Sequence, residues 1–264
     1  MRSGKSAGNN FVGLRQTTLV ANHHVLFGNV KASSSGAVKP PSADELLEHY
    51  TSDQLRAHWL ALGLAQKSVS FSPKPFETDE AKRNDPRVAD PVLKEGTLLT
   101  NVFNRLARSC FYTAAKYINC EVKLQEVDPE LRKVVQETAE KYEELMAKFE
   151  IYSVMQLMDE FIRYANKYWS DNAKNIEAGD DAFVDKFLSN AFYLLYACAL
   201  MMHPVVPKGC EKIAECMDIE ICEFFNWDKF YSLEKTLFND TIKKVRELPP
   251  RYDFFRKHES QYKD

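Results

Sequence analysis

No stretch of this sequence approaches the roughly 20 consecutive apolar residues that a bilayer-spanning helix needs, which argues against a membrane protein. Its opening, Met-Arg-Ser-Gly-Lys-Ser-Ala-Gly-Asn-Asn, lacks the apolar centre of a signal peptide. Glycine and proline are scarce, 9 and 11 of 264 residues, so a turn-rich all-β fold is disfavoured. There is no Cys-x-x-Cys pair. The six cysteines, Cys110, Cys120, Cys198, Cys210, Cys216 and Cys222, fall mostly on helix-like stripes, as buried free thiols of a reducing cytoplasm do. No metal site is expected, and the location implied is cytoplasmic. Positive charge is not in surplus either. With 35 Lys and Arg against 38 Asp and Glu, the formal charge is −3, so any grip on a polyanion must come from a local patch.

What is present is helical periodicity. Leu98, Leu99, Val102, Phe103, Leu106, Cys110 and Ala114 recur at helical spacing. A second stripe runs from Leu131 through Val135 and Tyr142 to Phe149, after the start signal Asp128-Pro129. A third runs from Ile151 to Tyr168, and a fourth from Val184 to Met201, ending at His203-Pro204. Each stripe is one-sided, so the four must bury their faces against one another, which predicts a four- to five-helix bundle over 96–264 with an extended aromatic tail. Upstream, residues 1–20 read as a tail or a truncation remnant, followed by a β-like run over 19–27. The small-residue loop Lys31-Ala32-Ser33-Ser34-Ser35-Gly36 comes next. Ser42 with Glu45 predicts a capping box and a helix through Tyr50, and a second helix starts at Thr51 or Ser52. Residues 63–95, holding Pro73, Pro75, Pro86 and Pro91, read as an irregular connector.

Two constellations invite a chemical reading. A loop offering the Lys31 ammonium with the Ser33, Ser34 and Ser35 hydroxyls can surround phosphate oxygens and offset developing charge; by itself, such a run is more often a flexible turn. Asn104 and Arg108 lie four apart, on one helical face, with Asn101 three residues earlier and predicted to share it. Asparagine can bond the edge of a splayed base, while an arginine plane stacks on it or pairs with phosphate; the commoner roles are a buried helix-to-helix bond and a surface ion pair. Arg105, Arg108, Lys116, Arg163, Lys167 and Lys174 offer a weak basic patch. His23 and His24, adjacent on a strand, point to opposite faces and do not converge on one ion.

In order, three stretches resemble class I aminoacyl-tRNA synthetases, and specifically the methionyl enzymes: Lys31–Ser35 with Ala43-Asp44-Glu45-Leu46-Leu47 and Asp53-Gln54-Leu55-Arg56; Asn101-Val102-Phe103-Asn104-Arg105-Leu106-Ala107-Arg108; and Ala165-Asn166-Lys167-Tyr168 followed by His203-Pro204-Val205-Val206-Pro207. The resemblance spans roughly 19–230 and implies a mainly α fold, an anticodon-binding helix bundle of class I synthetases preceded by a short strand–loop–helix (KMSKS-like) segment. Residues 21–62 would then form the KMSKS-like loop and stem-contact helices. It implies anticodon contact at Asn104, Arg108 and Asn101, and a catalytic role for Lys31, Ser33, Ser34 and Ser35, although Ser34 stands where the family has its second lysine. The family also stacks a tryptophan on an anticodon base; the matching place holds Asn175, with Trp169 as a nearby substitute or core residue. The implied partner is methionine tRNA, with no DNA, no membrane and a possible separate catalytic half. The His-x-Gly-His sequence of the nucleotide-binding half does not occur, so the chain carries no cofactor of its own, ATP belonging to a full-length enzyme, and it is expected not to aminoacylate alone. It reads as a truncated product or a free-standing tRNA-binding relative. The alternatives are the equivalent part of a valine, leucine or isoleucine enzyme, and a helical protein-interaction module whose Trp169, Trp227, Phe224 and Phe225 mark the interface.

Overall fold

The computed structural model describes residues 19–27, 30–33, 35–36, 39–227 and 242–262. The chain starts in a small sheet. Strand β1 (Val25–Phe27) pairs antiparallel with β2 (Val30–Lys31) and parallel with β3 (Val69–Ser70), so only the last three residues of the expected β-like run are strand. Helix α1 (Ala43–Leu47) opens with the expected capping box, Ser42 and Glu45 each bonding the other's backbone. It ends at Leu47, short of Tyr50, whose hydroxyl donates to Asp90 Oδ2 at 2.6 Å. Helix α2 (Ser52–Ala61) starts with a second box, Thr51 and Gln54.

Residues 63–95 are more ordered than their prolines suggest. Besides β3, they hold a 3-10 turn (Lys74–Phe76), helix α3 (Glu80–Asn84) and most of α4 (Pro91–Thr97). Asp79 and Asp90 cap the two helices through their side chains, and Pro91 occupies a first-turn position where its missing N–H costs nothing. Leu46, Tyr50, Leu55, Phe71 and Val92 form the small core of this part.

The larger core belongs to the bundle. After α4 comes a π-helical segment (Leu98–Phe103), which continues into α5 (Asn104–Ile118). Then follow α6 (Pro129–Ala147), α7 (Ile151–Ala173), α8 (Asp181–Met202), α9 (Pro207–Cys216) and the short α10 (Ile221–Phe224). Helix α8 is buried on every side from Phe187 to Met202, as a helix apolar all round must be. Of its three buried polar residues, Asp185 keeps one carboxylate oxygen without a hydrogen-bond partner among the described residues, whereas Ser189 and Asn190 are bonded. Ser189 accepts from Gln125 N, while Asn190 accepts from Asp128 N and donates to Asp128 Oδ2 and the Tyr168 hydroxyl. Burial pushes the Tyr168 phenol up to about 12. All six cysteines are free thiols; Cys110, Cys198, Cys210 and Cys216 are buried, and burial raises each of them.

Strand β4 (Glu121–Lys123) pairs antiparallel with β5 (Ile242–Lys244), Glu121 facing Lys244 in register and in an ion pair at 3.0 Å. The chain then turns back along α5 as an extended strap. The Tyr112 hydroxyl donates to Pro249 O and accepts from Tyr252 N. Higher up, Phe254 and Phe255 enter the core, and Gln261 bonds Gln54 and the carbonyl of His49. The strap thereby ties the bundle to the α1–α2 end.

Candidate nucleic-acid interface

Helix α5 carries its apolar residues inward and a polar stripe outward. The π segment before it decides which asparagine faces solvent. Asn104 N–H reaches Leu99 O, five residues back, and in such a turn each residue advances through a smaller angle than in an α turn. Residues three apart across it therefore diverge. Asn101 is exposed, whereas Asn104 is buried at 1%. The expectation that the two share one open face is corrected on this ground.

Asn104 is also fully occupied. Its Nδ2 donates to Thr100 O, to Phe255 O at 2.8 Å and to Asp253 Oδ1 at 3.3 Å, while its Oδ1 accepts from Phe255 N. Both N–H donors are committed and the oxygen is held by a main-chain N–H at a site closed to solvent, so Asn104 is the anchor of the strap and not an open reader of RNA. Arg108 is half-buried, and one of its nitrogens pairs with Asp253 Oδ1 at 3.0 Å. The sequence alone did not reveal Asp253 and Phe255 as partners lying some 150 residues downstream; the only signal there was an aromatic run after Pro249-Pro250.

The outward stripe instead reads Asn101, Arg105, Ser109, Tyr112 and Lys116, each about one turn from the next. Arg105 is exposed and has no ion-pair partner among the described residues. From Arg105 to Lys116 the stripe runs about 16 Å along the helix. Lys116 donates to the Tyr117 hydroxyl at 2.8 Å, which holds its ammonium above the ordinary range, and lies 3.8 Å from Glu177 in the α7–α8 connection. Asn175 is exposed in that same connection. Trp169 packs its indole against Phe187 at 6.3 Å, a core-edge placement, and its Nε1 is buried without a hydrogen-bond partner among the described residues. Of the remaining basic residues, Arg163 is forked onto Asp159 and Lys174 lies 3.9 Å from Asp171, while Lys167 is exposed with no ion-pair partner among the described residues.

The upstream loop is separate from this face. Lys31 is exposed on β2, and the Ser33 and Ser35 hydroxyls lie 3.2 Å apart across a turn closed by Gly36 N–H to Ser33 O. Ser34 lies outside the described residues. Among the described residues no group of three or more His, Cys, Asp or Glu side chains could hold a metal ion, and no helix is long and apolar enough to cross a membrane.

Residues 128–257 match the family described as the anticodon-binding domain of tRNA ligase. Over 233 residues the chain is 25% identical to the methionine–tRNA ligase of Clostridium tetani, a match that covers 86% of this chain and 33% of that protein. It thus spans about a third of that relative's length. Among solved structures, methionyl-tRNA synthetase of Mycobacterium tuberculosis bound by methionyl-adenylate has the same fold, with a TM-score of 0.60 at 20% identity over 89% of this chain and 43% of that one. Its free state gives 0.56 at 18% identity over 80% and 40%. Residues 128–257 are therefore an anticodon-binding domain of the tRNA-ligase kind, and the chain is homologous to the C-terminal region of methionyl-tRNA synthetases.

Proposed function

We propose that this chain is the tRNA-binding portion of a methionine–tRNA ligase and that it grips methionine tRNA through the Asn101–Arg105 edge of α5. The observation that carries this reading is an exposed asparagine amide with, one turn on, an exposed arginine that has no ion-pair partner among the described residues. An amide can donate to and accept from an unstacked base, while a guanidinium pairs with phosphate or stacks. Asn175 and Lys116 extend the contact toward the α7–α8 connection. Asn104 and Arg108 serve the same face from behind, by holding the strap against it. Lys31 and the Ser33–Ser35 turn would contribute to ATP chemistry only beside a nucleotide-binding half, which the 264 residues do not include in recognisable form. A protein of these residues binds tRNA and does not exchange pyrophosphate into ATP in response to methionine.

The test is filter binding of transcribed methionine tRNA to the chain and to Asn101→Ala and Arg105→Ala. Each substitution is expected to weaken binding by about 1–3 kcal/mol. A tRNA whose anticodon has been exchanged should lose the difference between wild type and variant. Equal binding of valine, leucine or isoleucine tRNAs would move the assignment to one of those enzymes.

A hollow of about 370 Å³ between Tyr142, Met146, Leu200, His203, Phe225 and Trp227 favours a second reading, a protein-interaction module. Apolar docking there would barely respond to salt, whereas RNA binding weakens steeply as counterions are released.

A further inference from the structure

The C-terminal strap, tied to α5 through the Tyr112 hydroxyl, supplies all but Thr51 of the lining of a groove of about 560 Å³, with Arg251, Tyr252, Arg256, Lys257, His258 and Tyr262 among its residues. We propose that this strap is a second RNA-binding element, with Arg251, Arg256 and Lys257 holding the phosphodiester backbone of the same tRNA that α5 contacts. The inference rests on the tRNA-binding reading above and extends it to residues outside α5.

Three observations support it. First, Arg251, Arg256 and Lys257 are all exposed, and none has an ion-pair partner among the described residues. In a chain of net charge −3, three unpaired cations within seven residues are a local field that composition does not supply. Second, the carboxylate between them is turned away. Asp253 points into α5 and is neutralised by Arg108, so it does not cancel the strap's charge; Glu259 is the one other acid on the groove lining. Third, Arg251 sits in the left-handed region at φ 60°, a conformation that costs a non-glycine residue of order 1–3 kcal/mol. The neighbouring backbone is pinned by the Tyr112 hydroxyl, which takes Tyr252 N–H and donates to Pro249 O. The strap therefore presents its guanidinium outward from a fixed backbone. Guanidinium forks match phosphate oxygens in pairs, and the half-exposed Tyr252 and exposed Tyr262 rings offer faces to an unstacked base.

The experiment uses the full chain and transcribed methionine tRNA, titrated from about 50 to about 200 mM salt. The variant Arg251→Gln/Arg256→Gln/Lys257→Gln is compared with wild type, with Asn101→Ala/Arg105→Ala, and with the charge-preserving Arg251→Lys/Arg256→Lys/Lys257→Arg. All three strap positions are exposed, and an unchanged melting temperature checks that the fold is intact. Each lost phosphate contact should make the slope of log K against log salt shallower by about 0.7–0.9. The triple glutamine variant should therefore lose about two to three units of slope, and the charge-preserving variant should keep them. If the glutamine variant keeps the wild-type slope while the α5 variant weakens binding, the strap proposal fails and the α5 reading stands. If the strap charges instead govern binding of a polyglutamate probe and leave tRNA untouched, the groove belongs to an acidic protein and the proposal is likewise overturned. If wild type binds no tRNA at all, both proposals fall.

Discussion

Asn104 and Phe255 exchange two hydrogen bonds, Nδ2 donating to Phe255 O at 2.8 Å and Phe255 N–H donating to Oδ1 at 3.0 Å. A side-chain amide thus copies one rung of a β-ladder and fixes the strap to the first turn of α5. Both residues are almost fully buried, so the bonds are made where water cannot replace them.

Replacing Asn104 with alanine leaves the Phe255 main chain and Asp253 without their buried partner. Loss of about 1–3 kcal/mol is expected, read as a lower urea midpoint with little change in slope. Asn104→Asp should cost at least as much, since a carboxylate cannot donate to Phe255 O. An unchanged midpoint in both variants would show that the strap is not anchored here.

Gly209 tests the same docking from the other side. A Cβ built on it would lie 2.1 Å from Phe255 Cε1 and 2.2 Å from Cδ1, which no rotation of a packed ring absorbs cheaply. Gly209→Ala should therefore displace Phe255 from its stack on Phe103 and cost about 1–3 kcal/mol. Proteolysis at the strap would report the release: cutting after Arg251 or Arg256 becomes faster in the variant and stays slow in wild type.

How much of this was visible beforehand depends on how far apart in the chain the partners lie. The capping box at Ser42, the helix start at Thr51 and the first three apolar stripes are local patterns, and they appear where the spacing puts them. The fourth stripe is no one-sided face, since α8 is buried all round from Phe187 to Met202, and of the six thiols Cys120 is half-buried and Cys222 exposed. The open reading of Asn104 comes from the family resemblance, whereas its residue type alone favours the buried helix-to-helix bond that the structure shows; Asn101 parts from it because the segment between them bonds as a π turn, which changes which residues share a face. The strap was illegible for a different reason. Its partners are separated by some 150 residues, and nothing periodic marks a main-chain carbonyl as the partner of a distant amide. The capped helices within 63–95 were legible in principle: Asp79 and Asp90 stand before them, and the prolines drew attention away from those caps.

His58 gives the small α1–α2 core a pH dependence. It is buried, both ring nitrogens lack hydrogen-bond partners among the described residues, and burial lowers its proton affinity, with Asp90 opposing in part. The folded chain therefore favours the neutral ring, while the unfolded chain takes up a proton near the ordinary value of 6.5. The stability this supplies is complete above that value and is lost as pH falls below it toward the lower folded value. Wild type should lose more melting temperature between about pH 7 and about pH 5 than His58→Leu does. Parallel curves for the two proteins would remove His58 as the cause.

Asn190 is a second buried amide with full partners, and it holds the start of α6 and the Tyr168 hydroxyl together. Asn190→Leu should destabilise by about 2–4 kcal/mol, because Asp128 and Tyr168 are left unsatisfied at a part-buried site. A calorimetric melting temperature equal to wild type would contradict the network.

The most direct measurement of RNA binding at the α5 edge is the dissociation constant of transcribed methionine tRNA for wild type and for Asn101→Ala/Arg105→Ala, both with intact folds. The double variant is expected to bind at least roughly 30-fold more weakly, and its remaining affinity should no longer distinguish a methionine anticodon from an exchanged one. Identical constants for the two proteins, with the same anticodon preference, would contradict the assignment of this edge as the RNA contact.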